Sequence, residues 1–170
     1  NLMCAAHAAM GDIAECLVVG HAGLSDEYCH ALRGTKVRKL HSTRRDAFKA
    51  VNTKPIARIN KNGNVEFAEK HHKKEHNEKL KIRLFNEKLK IGILKAHPHL
   101  LKEEIKVYNK FDGLIIEGTG LGHISVNKID NITKENEQIL RELTKLAKKI
   151  PVVMTTQCIF GNVNLNVYDT

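Results

Sequence analysis

Residues 90–123 read KIGILKAHPHLLKEEIKVYNKFDGLIIEGTGLGH, and the order of patterns inside this stretch decides the fold. Residues 90–95 form a short run of strand length, 99–109 carry a helical spacing after Pro98, and 113–117 (GLIIE) are continuously apolar, as in a buried strand. Toward the C-terminus, residues 134–150 repeat Ile139, Leu140, Leu143, Leu146, Ala147 and Ile150 on one stripe, with lysines and glutamates opposite. Thr133 can cap that helix, and Pro151 ends it and opens a further strand over 151–154. Strand and helix alternate over short connections, which predicts a parallel βαβαβ unit and an α/β fold class. The GTGLGH of 118–123 then falls at the carboxyl end of the central strand, where open parallel sheets place their sites. It does not match GxGxxG, and no acidic residue follows about 20 positions later behind a second strand, so dinucleotide binding lacks its other marks. A glycine-rich turn with an exposed histidine, His123, is the plain structural reading.

Toward the N-terminus, residues 69–90 (EKHHKKEHNEKLKIRLFNEKLK) are charged with alternating sign and read as a solvated linker, with Ile82, Leu84 and Phe85 hinting at strand-like alternation. Ahead of it, residues 56–59 and 64–67 flank Lys61-Asn62-Gly63, a hairpin signal in which glycine supplies the positive φ. Residues 28–32 and 35–40 flank Arg33-Gly34, which reads as a second hairpin of the same kind. Residues 15–20 (ECLVVG) have the apolar run of a buried parallel strand, and 1–10 (NLMCAAHAAM) an alanine-rich helix pattern. That helix has no cap before it and VYDT stops without a turn, so the expectation is an internal piece of a longer protein.

With 42% hydrophobic residues among 170, the chain can bury a core. No run approaches the roughly 18 apolar residues of a membrane span, and the start is not a signal peptide. Cys4, Cys16, Cys29 and Cys158 lack metal or disulfide-framework spacing and are expected to be reduced and structural. His71, His72 and His76 could share a helix face, but no carboxylate or cysteine pattern completes a metal site. A net charge of +9 would suit an anionic partner, yet only 5% of residues are aromatic and no RNA-binding motif is present, so charge alone does not separate RNA binding from solubility.

The chemistry-bearing stretch is 34–52, GTKVRKLHSTRRDAFKAVN. Val37 and Leu40 alternate with Lys36, Arg38 and Lys39 as in a strand, and Ser42 or Thr43 can cap a short helix with Ala47, Phe48 and Val51 on its apolar face. Lys39 would then sit at a strand-to-helix corner. Repulsion from Lys36, Arg38, Arg44, Arg45 and His41 favours a neutral amine wherever the site is also partly desolvated, which suits a proton acceptor. The other reading is a solvated basic strand edge.

The runs VRKLHSTRRDAFKAVN (37–52) and VVMTTQCIFGNVNLNVYDT (152–170), with GTGLGHI between them, resemble the L-asparaginase-like amidohydrolases in the same order. The RRDAF resembles in particular the tRNA-dependent amidotransferase branch found in archaea. The resemblance implies the C-terminal part of a larger parallel-sheet domain over 1–68, a charged linker over 69–89, and a small α/β domain over 90–170, incomplete at its end. It further implies amide hydrolysis through an acyl-enzyme on threonine, assisted by a second threonine, an aspartate and a lysine; Lys39 matches that lysine. The threonines and the aspartate would precede Asn1. Gly120, Gly122 and His123 correspond to a loop that reaches the substrate site of a neighbouring protomer, which implies a homodimer. In the amidotransferase branch the substrate is glutamine, hydrolysed without metal or organic cofactor, and the ammonia passes to a partner subunit that uses ATP and magnesium to amidate glutamate on tRNA(Gln). A cytoplasmic location is the default expectation for a sequence without a membrane span or signal peptide. A free cytoplasmic L-asparaginase, or a non-catalytic basic α/β module that binds RNA or protein, are the alternatives.

Overall fold

The computed structural model describes all residues except His76, Glu78, Leu80, Asp169 and Thr170, and divides into two compact units, Asn1–Ile82 and Arg83–Thr170. The first runs α1 (Leu2–Met10), β1 (Leu17–His21), β2 (Tyr28–Arg33), β3 (Val37–Lys39), β4 (Phe48–Ala50), β5 (Ala57–Asn60) and β6 (Val65–Phe67). Four of these strands make one sheet in the order β1-β2-β5-β6, and β3 with β4 forms a separate ribbon. Every pairing in this unit is antiparallel. That corrects the expected parallel strand over 15–20 and, within these residues, the expected parallel-sheet character. Only six residues separate β1 from β2, too few for the crossover that a parallel pair requires. Helix α1 lies on the sheet through small residues, Cys4 and Ala8 against Cys29, Ala31, Ile56, Ala57 and Ile59, which let helix and strands approach closely.

The expected hairpin at Lys61-Asn62-Gly63 is present between β5 and β6, with Gly63 at φ +89° and its amide donating to the Asn60 carbonyl at 3.0 Å. The expected hairpin at Arg33-Gly34 is not. Gly34 to Lys36 form a 3₁₀ turn that carries the chain off the sheet, and the glycine is required by proximity: a Cβ there would stand 3.0 Å from the Cys16 carbonyl oxygen. Arg33 donates to Glu15 at 2.8 and 3.4 Å and to the Lys70 carbonyl, while Glu15 also accepts from the His72 amide at 3.0 Å. These bonds tie residues 70–72, the first part of the charged stretch, to this unit. Burial pushes the Glu15 carboxyl up, but the Arg33 and His72 hydrogen bonds outweigh it and leave it below its ordinary value.

The second unit runs β7 (Ile91–Lys95), α2 (Lys102–Lys106), β8 (Gly113–Gly118), α3 (Asn136–Ala147) and β9 (Val152–Thr156). Its sheet is parallel in the order β7-β8-β9, with Ile93 beside Ile115 and Ile115 beside Val153, so the βαβαβ expectation holds. Leu94, Leu114 and Ile116 pack with Ile105, Ile139 and Leu146 of the two helices, each such side chain contributing about 1.5–3 kcal/mol. Both helices are shorter than expected. Helix α2 is entered where Glu104 accepts from the Leu101 amide at 2.9 Å, and α3 follows a 3₁₀ turn over Thr133–Glu135. Asp130, not Thr133, caps that turn, accepting from the Ile132 and Thr133 amides at 2.9 Å. Leu140 and Ala147 of the expected apolar stripe are exposed, so the buried face is narrower than the pattern. Residues 81–85 form no strand, and Leu84 and Phe85 are almost fully exposed. Among the described residues no helix is long and apolar enough to cross a membrane.

Candidate active-site segments

Lys39 ends β3, opposite Phe48 of β4, with its Nζ 5.8 Å from the Phe48 ring centroid. The ribbon is closed on both sides of the pair, the Leu40 amide donating to the Ala47 carbonyl at 2.8 Å and the Val51 amide to the Lys36 carbonyl at 2.9 Å. The short helix expected after Ser42 is therefore replaced by a strand, because Phe48 and Ala50 pair with β3. Lys39 consequently stands at a hairpin and not at a strand-to-helix corner. His41 organises the turn: its Nδ1 accepts from the Thr43 and Arg44 amides, both at 3.1 Å, the part that a serine or threonine cap was expected to play. Thr43 Oγ1 lies 3.3 Å from the same nitrogen.

The basic cluster around Lys39 is partly neutralised. Asp46, only 6% exposed, accepts from Arg44 at 2.9 and 3.0 Å and from Lys49 at 2.7 Å. Lys49 and Arg44, in that order, hold its carboxyl down at about 2. Arg45 is ion-paired to Asp26, and its Nη2 lies 3.1 Å from His21 Nε2, which is itself 3.0 Å from Asp26. The hydrogen bonds from His21 and Arg45 lower the Asp26 carboxyl. These contacts moor the β3–β4 turn to the loop between β1 and β2. Lys36, Arg38 and Lys39 remain exposed, so within these residues the desolvation that would complement their mutual repulsion is not supplied. Asp46 and Asp26 are not among the residues that the sequence pattern singles out. The signal for Asp46 is nevertheless there, as one carboxylate two residues after Arg44 and three before Lys49.

In the second unit, the 118–123 loop follows β8 and folds back on itself. Thr119 and His123 exchange backbone hydrogen bonds at 2.7 and 3.0 Å, and the Gly122 amide also donates to Thr119 at 2.9 Å. Gly120 and Gly122 have φ of +51° and +103°, and a Cβ on Gly118 would stand 2.3 Å from the Gly122 carbonyl carbon. The Leu121 carbonyl accepts from the Asn164 amide at 2.9 Å. Three loop amides are thus used inside the turn, unlike a phosphate-cradling loop, whose amides face the ligand. His123 is buried, edge-on to Tyr168 at 5.2 Å, which corrects the reading of an exposed histidine. Thr119 and Gly120 form the exposed tip.

The histidine-rich stretch does not form a helix face: His71 stacks on Phe67 with ring centroids 4.3 Å apart, and His76 lies outside the described residues. Among the described residues no three His, Cys, Asp or Glu side chains stand together as a metal site. Cys4 and Cys29 are buried and Cys16 and Cys158 exposed, all of them free thiols.

Comparison with known proteins places both segments in one family. The N-terminal asparaginase family matches residues 1–73, and the glutaminase/asparaginase C-terminal domain family matches residues 90–170. The chain belongs to this asparaginase family, and its fold agrees with that of the thermostable L-asparaginase from Thermococcus kodakarensis. That structure is 28% identical with a TM-score of 0.75, and the match covers 99% of this chain and 46% of that one. More particularly, the whole chain is 41% identical to the D-type subunit of glutamyl-tRNA(Gln) amidotransferase from Pyrococcus abyssi. It is likewise 41% identical to the same protein from Archaeoglobus fulgidus and 38% identical to that from Methanosphaera stadtmanae. It spans 37% of the length of the Pyrococcus protein.

Proposed function

We propose that this chain is part of the glutaminase subunit of a tRNA-dependent amidotransferase, an amidohydrolase that converts glutamine to glutamate and ammonia. The observation that carries the reading is Lys39. By the resemblance of residues 37–52 it would be the family's catalytic lysine, and it stands on a short strand whose hairpin is pinned at both ends, within a sequence that is like the D-type amidotransferase subunits from end to end. In the proposed reaction, a threonine hydroxyl from a segment outside these residues attacks the side-chain amide carbon while Lys39 takes its proton. The C–N bond then breaks, ammonia leaves with a proton, and water hydrolyses the acyl-threonine to release glutamate. The Gly120–Gly122–His123 loop would contact substrate in a neighbouring protomer of a homodimer, through its exposed Thr119–Gly120 tip; buried His123 would hold the turn.

The ammonia would be delivered to the E-type subunit of the amidotransferase, which would bind ATP, magnesium and Glu-tRNA(Gln) in the cytoplasm. Glutamine hydrolysis itself would use no metal or organic cofactor. A free L-asparaginase is the second reading, favoured by the 28% identity and 0.75 TM-score to such an enzyme. Changing Lys39→Met in the full-length protein is expected to lower ammonia release from glutamine by on the order of 100-fold or more, with the fold intact by circular dichroism. Near wild-type release from the folded variant would overturn the assignment, and faster release from asparagine than from glutamine in the parent protein would select the asparaginase reading.

A further inference from the structure

The carboxylate of Asp46 is the one acidic group that the β3–β4 turn carries, and its setting is unusual. It is buried while its two partners are not: Asp46 is 6% exposed, Arg44 52% and Lys49 40%. A carboxylate so removed from water is stable only where charged donors saturate it, and here a two-point guanidinium contact and an ammonium do so. Arg44 lies in the turn and Lys49 in β4, so one carboxylate holds turn and strand together. The residue after Asp46 is Ala47, whose carbonyl accepts from the amide of Leu40, the neighbour of Lys39. The residue after that is Phe48, which faces Lys39 across the ribbon. Asp46 therefore fixes the piece of backbone against which Lys39 is registered. It also compensates two cations that would otherwise repel each other and Lys39 across a three-residue strand pair.

From this geometry we infer that Asp46 is a positioning residue, orienting Lys39 through the ribbon without touching the substrate. The inference rests on the proposed role of Lys39. Misplacing a catalytic group by about 1 Å costs up to about 100-fold in rate, so releasing the clamp lowers turnover more than substrate affinity. The test is steady-state glutaminase kinetics on the full-length protein, at a temperature where circular dichroism shows each variant to be folded. Asp46→Asn, which keeps the shape and removes the charge, is expected to lower kcat roughly 10-fold or more with KM little changed. Asp46→Glu recovers part of the loss. Lys49→Met, which removes one of the two tethers, lowers kcat by a smaller factor and serves if Asp46→Asn fails to fold. In a Lys39→Met background, Asp46→Asn removes no further activity from the residual rate, because groups acting as a unit are not additive.

A folded Asp46→Asn protein with wild-type kcat overturns the inference, as does an undiminished loss in the Lys39→Met background, which would mark Asp46 as only structural. A Lys39→Met protein that keeps its activity fails at a different place, removing the lysine assignment itself.

Discussion

At the scale of single residues, two charged side chains differ in setting: Lys39 stands exposed and Asp46 is buried among cations. The hydrogen bonds that Lys49 and Arg44 give Asp46 have a consequence for stability with pH. Its carboxyl is held at about 2 in the folded chain, against an ordinary 3.8, so the folded state holds the carboxylate charged where the unfolded chain would protonate it. The stabilisation is fully present above the ordinary value and is lost as pH falls from there toward about 2. Urea unfolding of the full-length protein and of Asp46→Asn is therefore expected to show a gap in midpoint at neutral pH that narrows below the ordinary value of 3.8. A gap that stays constant on acidification would mean that the charge of Asp46 contributes nothing. His30 is shifted in the same direction but holds the neutral form: its burial, with Lys49 and Arg58 beside it, lowers the imidazole, so the ring adds no further charge to this face.

At the scale of elements, the second unit is legible in the sequence because its strands are continuous apolar runs and its helices have a stripe, two periods that do not imitate each other. The first unit departs from expectation where a short apolar run fits either pairing. Residues 15–20 could be parallel or antiparallel, and the six-residue loop before Tyr28, not the run itself, decides the matter. The Ser42–Val51 helix fails because Phe48 and Ala50, two residues apart and so on one side of an extended chain, pair with β3 instead. Within the proposed site, Lys39 is singled out by its motif alone, whereas Asp46 is given no role by the sequence, since a carboxylate among arginines reads as a solvated face until its burial is known. Glycine gives a test at this scale. A Cβ at Gly118 would meet the backbone of Gly122 at 2.3 Å, and backbone cannot swing aside as a side chain can. Gly118→Ala is expected to destabilise the protein by about 2–4 kcal/mol. At Gly120 nothing lies within 4 Å, leaving only the φ of +51°, so Gly120→Ala should cost about 1–2 kcal/mol. Thermal unfolding that ranks them in the reverse order would show that the 118–123 turn is not held by this close approach.

At the scale of the whole molecule, the chain carries the proposed base, and among the described residues of the first unit no threonine lies on the strand pair that holds it. In the first unit Thr43 is turned to His41, and neither Thr35 nor Thr53 lies on the ribbon that holds Lys39. A base without its nucleophile retains little activity, because such groups act together. These 170 residues, expressed by themselves, are therefore expected to release no ammonia from glutamine or asparagine above background, although Lys39 is present. The same preparation tests the division into units. Residues 81–85 have no regular structure, with Leu84 90% and Phe85 98% exposed, and large apolar side chains on open backbone are what chymotrypsin cleaves. Brief digestion should cut first after Leu84 or Phe85 and leave two fragments that resist further cleavage, the later one protected by the parallel sheet and its packed helices. Mass spectrometry of the early products decides: first cuts inside β7, β8 or α3 would mean that the second unit is not independently packed, and ammonia release by the uncut chain would place a nucleophile within this sequence.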